Sequence, residues 1–274
     1  MKKYTYLYPP LVERILAEEA ARKDPDKAAK TRLHQLYGAY VQPAMYKKAK
    51  TILSAAEQAK AEERHSPSHE AESLLRLHAS TRERLPHCLD FYRFIFEHVP
   101  PPESIVDLGC GFNPFSLPFL YEAGSGIQVK LKTYRAYDIC TQQAELINRF
   151  FILHNLPPDA ECLDLAATPD SESLILSSES LIPNSELVFM FKLLPVLEAQ
   201  SSGGGFRVVR GLTSKHLVIT YPLKSLGGKE KGMARHYRHT FQTAYDAGLL
   251  SPFTLIAERQ IGTEWVCILS LRHL

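Results

Sequence analysis

The chain has 274 residues, 45% of them hydrophobic, and a formal net charge of only +2. This is enough apolar material for one large domain or two modest ones, and no apolar run approaches the ~18 residues that a membrane-spanning helix needs. The five cysteines (Cys88, Cys110, Cys140, Cys162 and Cys267) are scattered and form no Cys-x-x-Cys pair, which points to reduced thiols in a cytoplasmic protein with no zinc site.

The opening residues, Met1 to Pro10, lead into charged helical sequence rather than the apolar core of a signal peptide. Leu11, Ile15 and Leu16 share one face of a first helix. Asp24-Pro25-Asp26 caps a second helix near Pro25, with Leu33, Leu36, Tyr37 and Tyr40 as its apolar stripe, and Gln42-Pro43 ends it. A third helix is expected over Tyr46–Arg64, a short one over Glu70–Leu77, and a better one over Pro86–His98 with Leu89, Tyr92, Phe96 and Val99 inward. Pro100-Pro101-Pro102 closes this helical region. The reading is an all-helical N-terminal domain over residues 1–85, followed by a second domain over 86–274.

From Ile105 onward strands and helices alternate. Strands are expected at Ile105–Leu108, within Lys130–Tyr137, at Glu161–Leu163, within Ser185–Phe191 and at Leu217–Tyr221. Helices are expected at Phe115–Ala123, Gln142–His154, from Leu194 to Gln200, and at Thr240–Gly248. Phe253–Arg259 and Glu264–Leu271 read as a closing hairpin around Gly262-Thr263, and Ser201 to Gly205 as a flexible loop. This predicts an α/β fold: a parallel, Rossmann-like sheet finished by an antiparallel strand.

Ligands of such sheets bind outside the C-terminal ends of the strands. The first strand runs into Asp107-Leu108-Gly109-Cys110-Gly111-Phe112-Asn113-Pro114. An acid ending an apolar run, then two glycines, resembles the first loop of S-adenosylmethionine (SAM) methyltransferases. Glycines without Cβ atoms let the backbone turn tightly against a ligand. The third glycine of a dinucleotide-binding loop is replaced by Phe115, which favours SAM over NAD. Asp138 closes the second strand at the distance where such folds place an acid on ribose hydroxyls, the alternative being a simple turn aspartate. Asp164-Leu165 closes the third, where an acid can accept from an adenine amino group while leucine covers the ring. Lys192, past the fourth, stands where methyl donor and acceptor should meet, unless it is a snorkelling surface lysine. In His78-Ala79-Ser80-Thr81-Arg82-Glu83-Arg84-Leu85 an arginine fork suits a carboxylate, while Ser80 or Thr81 can equally cap a helix.

Charge is uneven. Residues 1–85 hold 16 Lys/Arg against 11 Asp/Glu, and residues 207–239 hold eight basic residues against the single acid Glu230. Two basic blocks on a near-neutral chain fit a polyanionic partner better than a small neutral substrate. Lys224, Lys229, Lys231, Arg235 and Arg238 form a phosphate-contacting segment around Met233, which packs on a base or anchors the loop.

Together these segments are similar to the 16S ribosomal RNA guanine-N7 methyltransferases of aminoglycoside resistance, the group acting on guanine 1405 of the decoding site. The matching stretches are Arg32-Leu33-His34-Gln35-Leu36-Tyr37-Gly38-Ala39-Tyr40, His78–Leu85, Asp107–Pro114, Lys192-Leu193-Leu194-Pro195-Val196-Leu197-Glu198 and Lys224–Met233. The resemblance implies an N-terminal domain gripping the 30S subunit and a SAM-binding C-terminal domain, in a cytoplasmic monomer without a metal. By the same resemblance His78 and Arg84 hold the methionine end of SAM. Gly109 and Gly111 line it, Asp138 binds the ribose, Asp164 and Leu165 hold the adenine, Ile139, Lys192 and Leu193 complete the cofactor site, and Lys192, the catalytic residue, also faces RNA. Arg32, His34, Lys224, Lys229, Lys231, Met233 and Arg235 face RNA. Guanine N7 carries a lone pair and no proton, so no general base is required. The chain accordingly lacks the Asp/Asn-Pro-Pro-Tyr/Phe motif of exocyclic-amine enzymes. N7 lies in the deep, narrow major groove of A-form RNA, so the base must flip out or sit in a distorted helix. The competing readings are a methyltransferase for another RNA position or a small molecule, and a catalytically silent ribosome-binding relative.

Overall fold

A computed structural model describes residues 4–38, 42–62, 66–124, 129–167, 184–224 and 232–272. Its strands are β1 (Ser104–Leu108), β2 (Thr133–Asp138), β3 (Ala160–Cys162), β4 (Leu187–Phe191), β5 (His216–Pro222), β6 (Phe253–Ile261) and β7 (Glu264–Leu271). They form one sheet in the order β3-β2-β1-β4-β5-β7-β6. The first five run parallel, and β7 inserts antiparallel between β5 and β6. This is the α/β sheet with a closing hairpin that the alternation predicts. Central β4, Leu-Val-Phe-Met-Phe, is buried along its whole length, as a strand covered on both faces must be. β1 pairs with β2 on one side and β4 on the other, so the chain reverses its direction of travel across the sheet beside β1. That is where a crevice opens in such folds.

The N-terminal helices are α1 (Pro9–Glu18), α2 (Pro25–Tyr37), α3 (Pro43–Ala61), α4 (Pro67–Leu75) and α5 (Ala79–Arg84). Four of them begin at proline, whose missing N–H costs nothing in the first turn. The expected starts at Tyr46 and Glu70 are therefore three residues late, because in sequence a proline marks the end of one helix as readily as the first turn of the next. Asp24 caps α2 by accepting from the Lys27 amide at 3.1 Å. The single helix expected over Pro86–His98 is a 3₁₀ turn (Leu85–His87) followed by α6 (Cys88–Phe96). His78, not Ser80 or Thr81, is the N-cap of α5, and the Thr81 hydroxyl instead donates to Leu75 O at 2.7 Å.

Helices α7 (Leu117–Ala123), α8 (Thr141–Leu153), α9 (Leu194–Gln200), α10 (Gly204–Arg210) and α11 (Met233–Asp246) complete the described elements. The loop expected over Ser201–Gly205 is shorter, ending at Gly203, the N-cap of α10. Glu198 accepts from the amides of Gly203 and Gly205 at 2.8 and 2.9 Å, and Gly203 adopts φ 73°. Likewise α11 begins seven residues before the expected Thr240. Its polar first turns are a solvent face that hid the periodicity, with Phe241 and Ala244 buried beyond them.

Two apolar clusters cover the sheet faces. Leu11, Ile15, Leu33 and Leu53 of the N-terminal helices join Phe91, Phe115, Phe150 and Phe189 in one. Phe206, Phe241 and Trp265 join Val188 and Met190 in the other. The N-terminal segment is also tied to the loop after β2, where the Tyr8 amide donates to Ile139 O at 2.8 Å and the Thr141 amide to Tyr6 O at 2.9 Å. All five cysteines are free thiols, four of them buried. Among the described residues no helix is long and apolar enough to cross a membrane, and no cluster of His, Cys, Asp or Glu could hold a metal ion.

Candidate cofactor and acceptor clefts

The crevice beside β1 is floored by the glycine loop. Gly109 and Gly111 adopt φ 61° and 52°, a region that side-chain-bearing residues rarely enter. A Cβ on Gly109 would come within 2.6 Å of Leu193 Cδ1, so a side chain there would be strained in conformation and would also have to displace Leu193. The Gly111 amide donates to Asp138 Oδ2 at 2.8 Å and the Ile139 amide to Oδ1 at 2.7 Å. These bonds fix the carboxylate at the cleft wall, and each oxygen keeps a lone pair that a ribose diol can use. Burial nevertheless raises the Asp138 carboxyl above its ordinary range, against the two backbone bonds. Asp107 lies beneath the loop, fully buried. Its Oδ2 accepts from Asn113 Nδ2 and the Tyr134 hydroxyl, both at 2.8 Å, and burial pushes it up to about 7.

Around this floor the cleft gathers His78, Arg84, Asp138, Ile139, Asp164, Leu165, Lys192 and Leu193. Sequence-predicted positions from five separate segments thus converge. Leu36 and Tyr37 of α2 and Val196, Leu197 and Gln200 of α9 add an apolar roof with a polar end. At that end Asp164 is gripped by Arg14, whose Nε donates to Oδ2 at 2.7 Å and Nη2 to Oδ1 at 3.2 Å. Gln200 Oε1 accepts from both Arg14 Nη2 and the Tyr37 hydroxyl at 3.1 Å.

At the other end Arg84 is sandwiched between Phe91 and Phe191, 4.6 and 4.5 Å from their ring centroids. Its Nε and Nη2 donate to Glu264 at 3.0 and 2.8 Å, and Nη1 to Asn113 Oδ1 at 2.7 Å. Three of the five guanidinium N–H groups are so engaged, leaving two for a ligand carboxylate. Burial alone would raise Glu264, but Arg84 and Lys192 together hold it below the usual carboxylate range. His78 is buried against Phe112, ring centroids 5.5 Å apart, and burial with the charges of Lys192, Arg84 and Arg82 lowers it to about 4. It is neutral at physiological pH.

Lys192 leaves β4 at φ 57°, an unusual conformation for a residue with a side chain. Its amide donates to Thr220 O at 3.0 Å, and its ammonium lies 3.0 Å from Glu83 Oε2 and 3.3 Å from Glu264 Oε1. It is a held, mostly buried cation rather than a snorkelling one. Lys192 lines a second cleft as well, together with Gln35, Leu36, Ser80, Glu83, Pro195, Val196, Pro222, Lys224, Met233 and Tyr237. Leu36, Ser80, Lys192 and Val196 are common to both clefts. Of the expected RNA-facing residues, two line this cleft. Exposed His34 lies on α2, Lys224 and Met233 line the cleft itself, and exposed Arg235 sits in the first turn of α11. Half-buried Arg32 is held by Glu18 and Glu19 at 3.0 and 3.1 Å. Lys229 and Lys231 lie outside the described residues.

The ribosomal RNA methyltransferase family FmrO matches residues 1–249 of the chain. The chain belongs to this family. A 16S rRNA (guanine(1405)-N(7))-methyltransferase of Serratia marcescens is 32% identical over 272 residues, covering 98% of this chain and 93% of the relative. One from Micromonospora echinospora is 32% identical over 247 residues, covering 88% and 84%. Among solved structures, the 16S rRNA methyltransferase RmtF in complex with S-adenosyl-L-homocysteine superposes with a TM-score of 0.77 at 27% identity, covering 98% and 93%. The 16S rRNA methylase RmtB does so with 0.74 at 29%, covering 99% and 94%.

Several residues of this rRNA methyltransferase's clefts carry no sequence signal of their own. Arg14 sits on an ordinary amphipathic helix 150 residues from Asp164. Glu264 is legible only once the direction of its strand is known. β7 is antiparallel, so its first residue, not its last, reaches the ligand edge, opposite Pro222 at the end of β5. Asn113 lay within the glycine motif without a role, and Gln143 on α8 lines the same cleft.

Proposed function

We propose that the chain transfers a methyl group from SAM to N7 of guanine 1405 in 16S rRNA of the 30S subunit, conferring aminoglycoside resistance. The observation that carries this reading is the junction of two clefts at Lys192, one floored by the glycine loop and one lined by Lys224 and Met233. The first cleft suits SAM: a diol acceptor at Asp138, an acid and apolar cover at Asp164 and Leu165, and a guanidinium with N–H groups to spare at Arg84. His78 stays neutral beside the bound cation, and Gly109 and Gly111 give the backbone room. The second cleft takes the flipped guanine, and residues 1–85 with the Lys224–Arg235 segment grip the subunit. Arg32 and His34 supply RNA contacts on α2, and Lys229 and Lys231 on the segment. The enzyme works as a cytoplasmic monomer.

SAM supplies a methyl carbon already activated by its sulfonium. The lone pair of guanine N7 forms the new bond to that carbon, the carbon–sulfur bond breaks with its electron pair left on sulfur, and no proton moves. The chain's residues therefore hold rather than titrate. Lys192, fixed by Glu83, Glu264 and Thr220, orients the base, and the roof over the cleft excludes water. Primer extension on 16S RNA after borohydride–aniline cleavage tests the proposal, using 30S subunits treated with protein and SAM. A strong stop at the decoding-site guanine is expected. No cleavage, with S-adenosylhomocysteine still bound in calorimetry, would overturn it.

A further inference from the structure

Glu83 lines the second cleft and not the first. Its Oε2 accepts from Lys192 Nζ at 3.0 Å. Among the described residues its Oε1 accepts no hydrogen bond, although the side chain is only 34% exposed. The cleft thus presents a cationic donor and an anionic acceptor side by side. The donor is at the junction with the cofactor cleft and the acceptor one step outward. Pro195, Pro222, Met233 and Tyr237 give the same cleft apolar walls suited to a flat ring.

We infer that the Lys192–Glu83 pair is the reader that selects guanine, an inference that rests on the reading of the chain as a guanine-N7 methyltransferase. A purine whose N7 points at the cofactor cleft carries its position 6 substituent next, then N1. In guanine these are the O6 acceptor and the N1–H donor; in adenine they are an amino donor and a bare N1 acceptor. Lys192 donating to O6 and Glu83 accepting from N1–H match guanine, and both contacts become repulsive with adenine. Flipped bases are read on this edge in general. Glu83 also contributes to rate. As the N7–carbon bond forms and the carbon–sulfur bond breaks, positive charge arrives on the base and N1–H becomes more acidic, while its proton stays on N1. A hydrogen bond to a carboxylate strengthens over that step, so it stabilises the transition state more than the bound substrate.

The test uses 30S subunits reconstituted from 16S RNA with guanine or adenine at the target position, and reads methyl transfer and S-adenosylhomocysteine affinity. Wild-type protein is expected to prefer guanine by about a hundredfold or more. Glu83→Gln can turn either its carbonyl or its amide to the base. It is expected to lose about tenfold to a hundredfold in turnover on guanine and to narrow the guanine-to-adenine ratio by at least about tenfold. S-adenosylhomocysteine affinity should be unchanged. Glu83→Ala, carried in parallel, should collapse the ratio in the same way, and Glu83→Asp should retain it. Lost turnover with an intact ratio in both neutral variants would make Glu83 a mere support for Lys192 and overturn the inference. Wild-type protein that fails to methylate guanine-bearing subunits would instead overturn the underlying functional reading.

Discussion

The two clefts meet at Lys192, with Leu36, Ser80 and Val196 shared beside it, but are built differently. The cofactor cleft is made mostly of backbone turns at consecutive strand ends: the glycine loop after β1, Asp138-Ile139 after β2, Asp164-Leu165 after β3 and Lys192-Leu193 after β4. The acceptor cleft is assembled from helices far apart in the chain, with Gln35 on α2, Ser80 and Glu83 on α5, Ala199 on α9 and Tyr237 on α11. A strand-end site inherits its geometry from the sheet. A helix-walled site must be created by packing, which leaves it freer to differ between relatives that share one cofactor.

Glu264 is the place to break this division, because it pairs with Arg84 of the cofactor cleft and with Lys192, which lines both clefts. Glu264→Ala would leave Arg84 buried and unpaired between two phenylalanine rings. The expected cost is about 3–5 kcal/mol, seen as a lower urea midpoint together with loss of S-adenosylhomocysteine binding. A shift below about 1 kcal/mol would show that the pair is not the support it looks to be. Lys192→Gln sharpens the division instead. Turnover should fall about a hundredfold while cofactor affinity stays within about twofold, and equal losses in both would place the lysine in the cofactor cleft alone.

Asp107 belongs to the fold beneath the cofactor cleft, and its test is pH. Its carboxyl titrates near 7 folded against 3.8 in the open chain. Between those values the unfolded state gives up a proton that the folded state keeps. Its stabilising contribution is therefore complete below about 4 and is lost as pH rises to about 7. Between pH 5 and 6 stability should fall by about 1.4 kcal/mol from this group, and Asp107→Asn should flatten that slope in urea titrations. The smallest effect is expected from Arg14→Gln, which loosens Asp164. S-adenosylhomocysteine should bind about fivefold more weakly, with 30S co-sedimentation unchanged. A loss of 30S binding would mean that Arg14 serves the acceptor side.

The same contrast explains what could be read from the sequence. Gly109, Gly111, Asp138, Asp164 and Lys192 each follow a recognisable apolar strand, and a parallel sheet sends every strand end to one edge, so their convergence was legible. Glu264 was not, because the rule of looking past a strand's last residue inverts for an antiparallel strand. Arg14 and Tyr37 looked like ordinary helix positions, since periodicity tells which face is buried but not what it meets. The first turns of α11 carry no apolar periodicity because Arg235, His236, Arg238 and His239 all face solvent. The N-terminal helices were legible as helices, while the packing of their apolar faces into one sheet-side cluster was not.

The free cysteines have a practical corollary. Burial pushes the thiols of Cys88 and Cys162 up to about 12 and that of Cys140 up to about 11, and raises Cys110 and Cys267 also. Alkylation proceeds through the thiolate, so the native sulfurs are slow toward maleimides near neutral pH. A single cysteine introduced on the solvent side of α2 or α11 should outcompete all five. The wild-type background can then carry one fluorophore beside the acceptor cleft, and docking can be followed in real time without first stripping the protein of its own thiols.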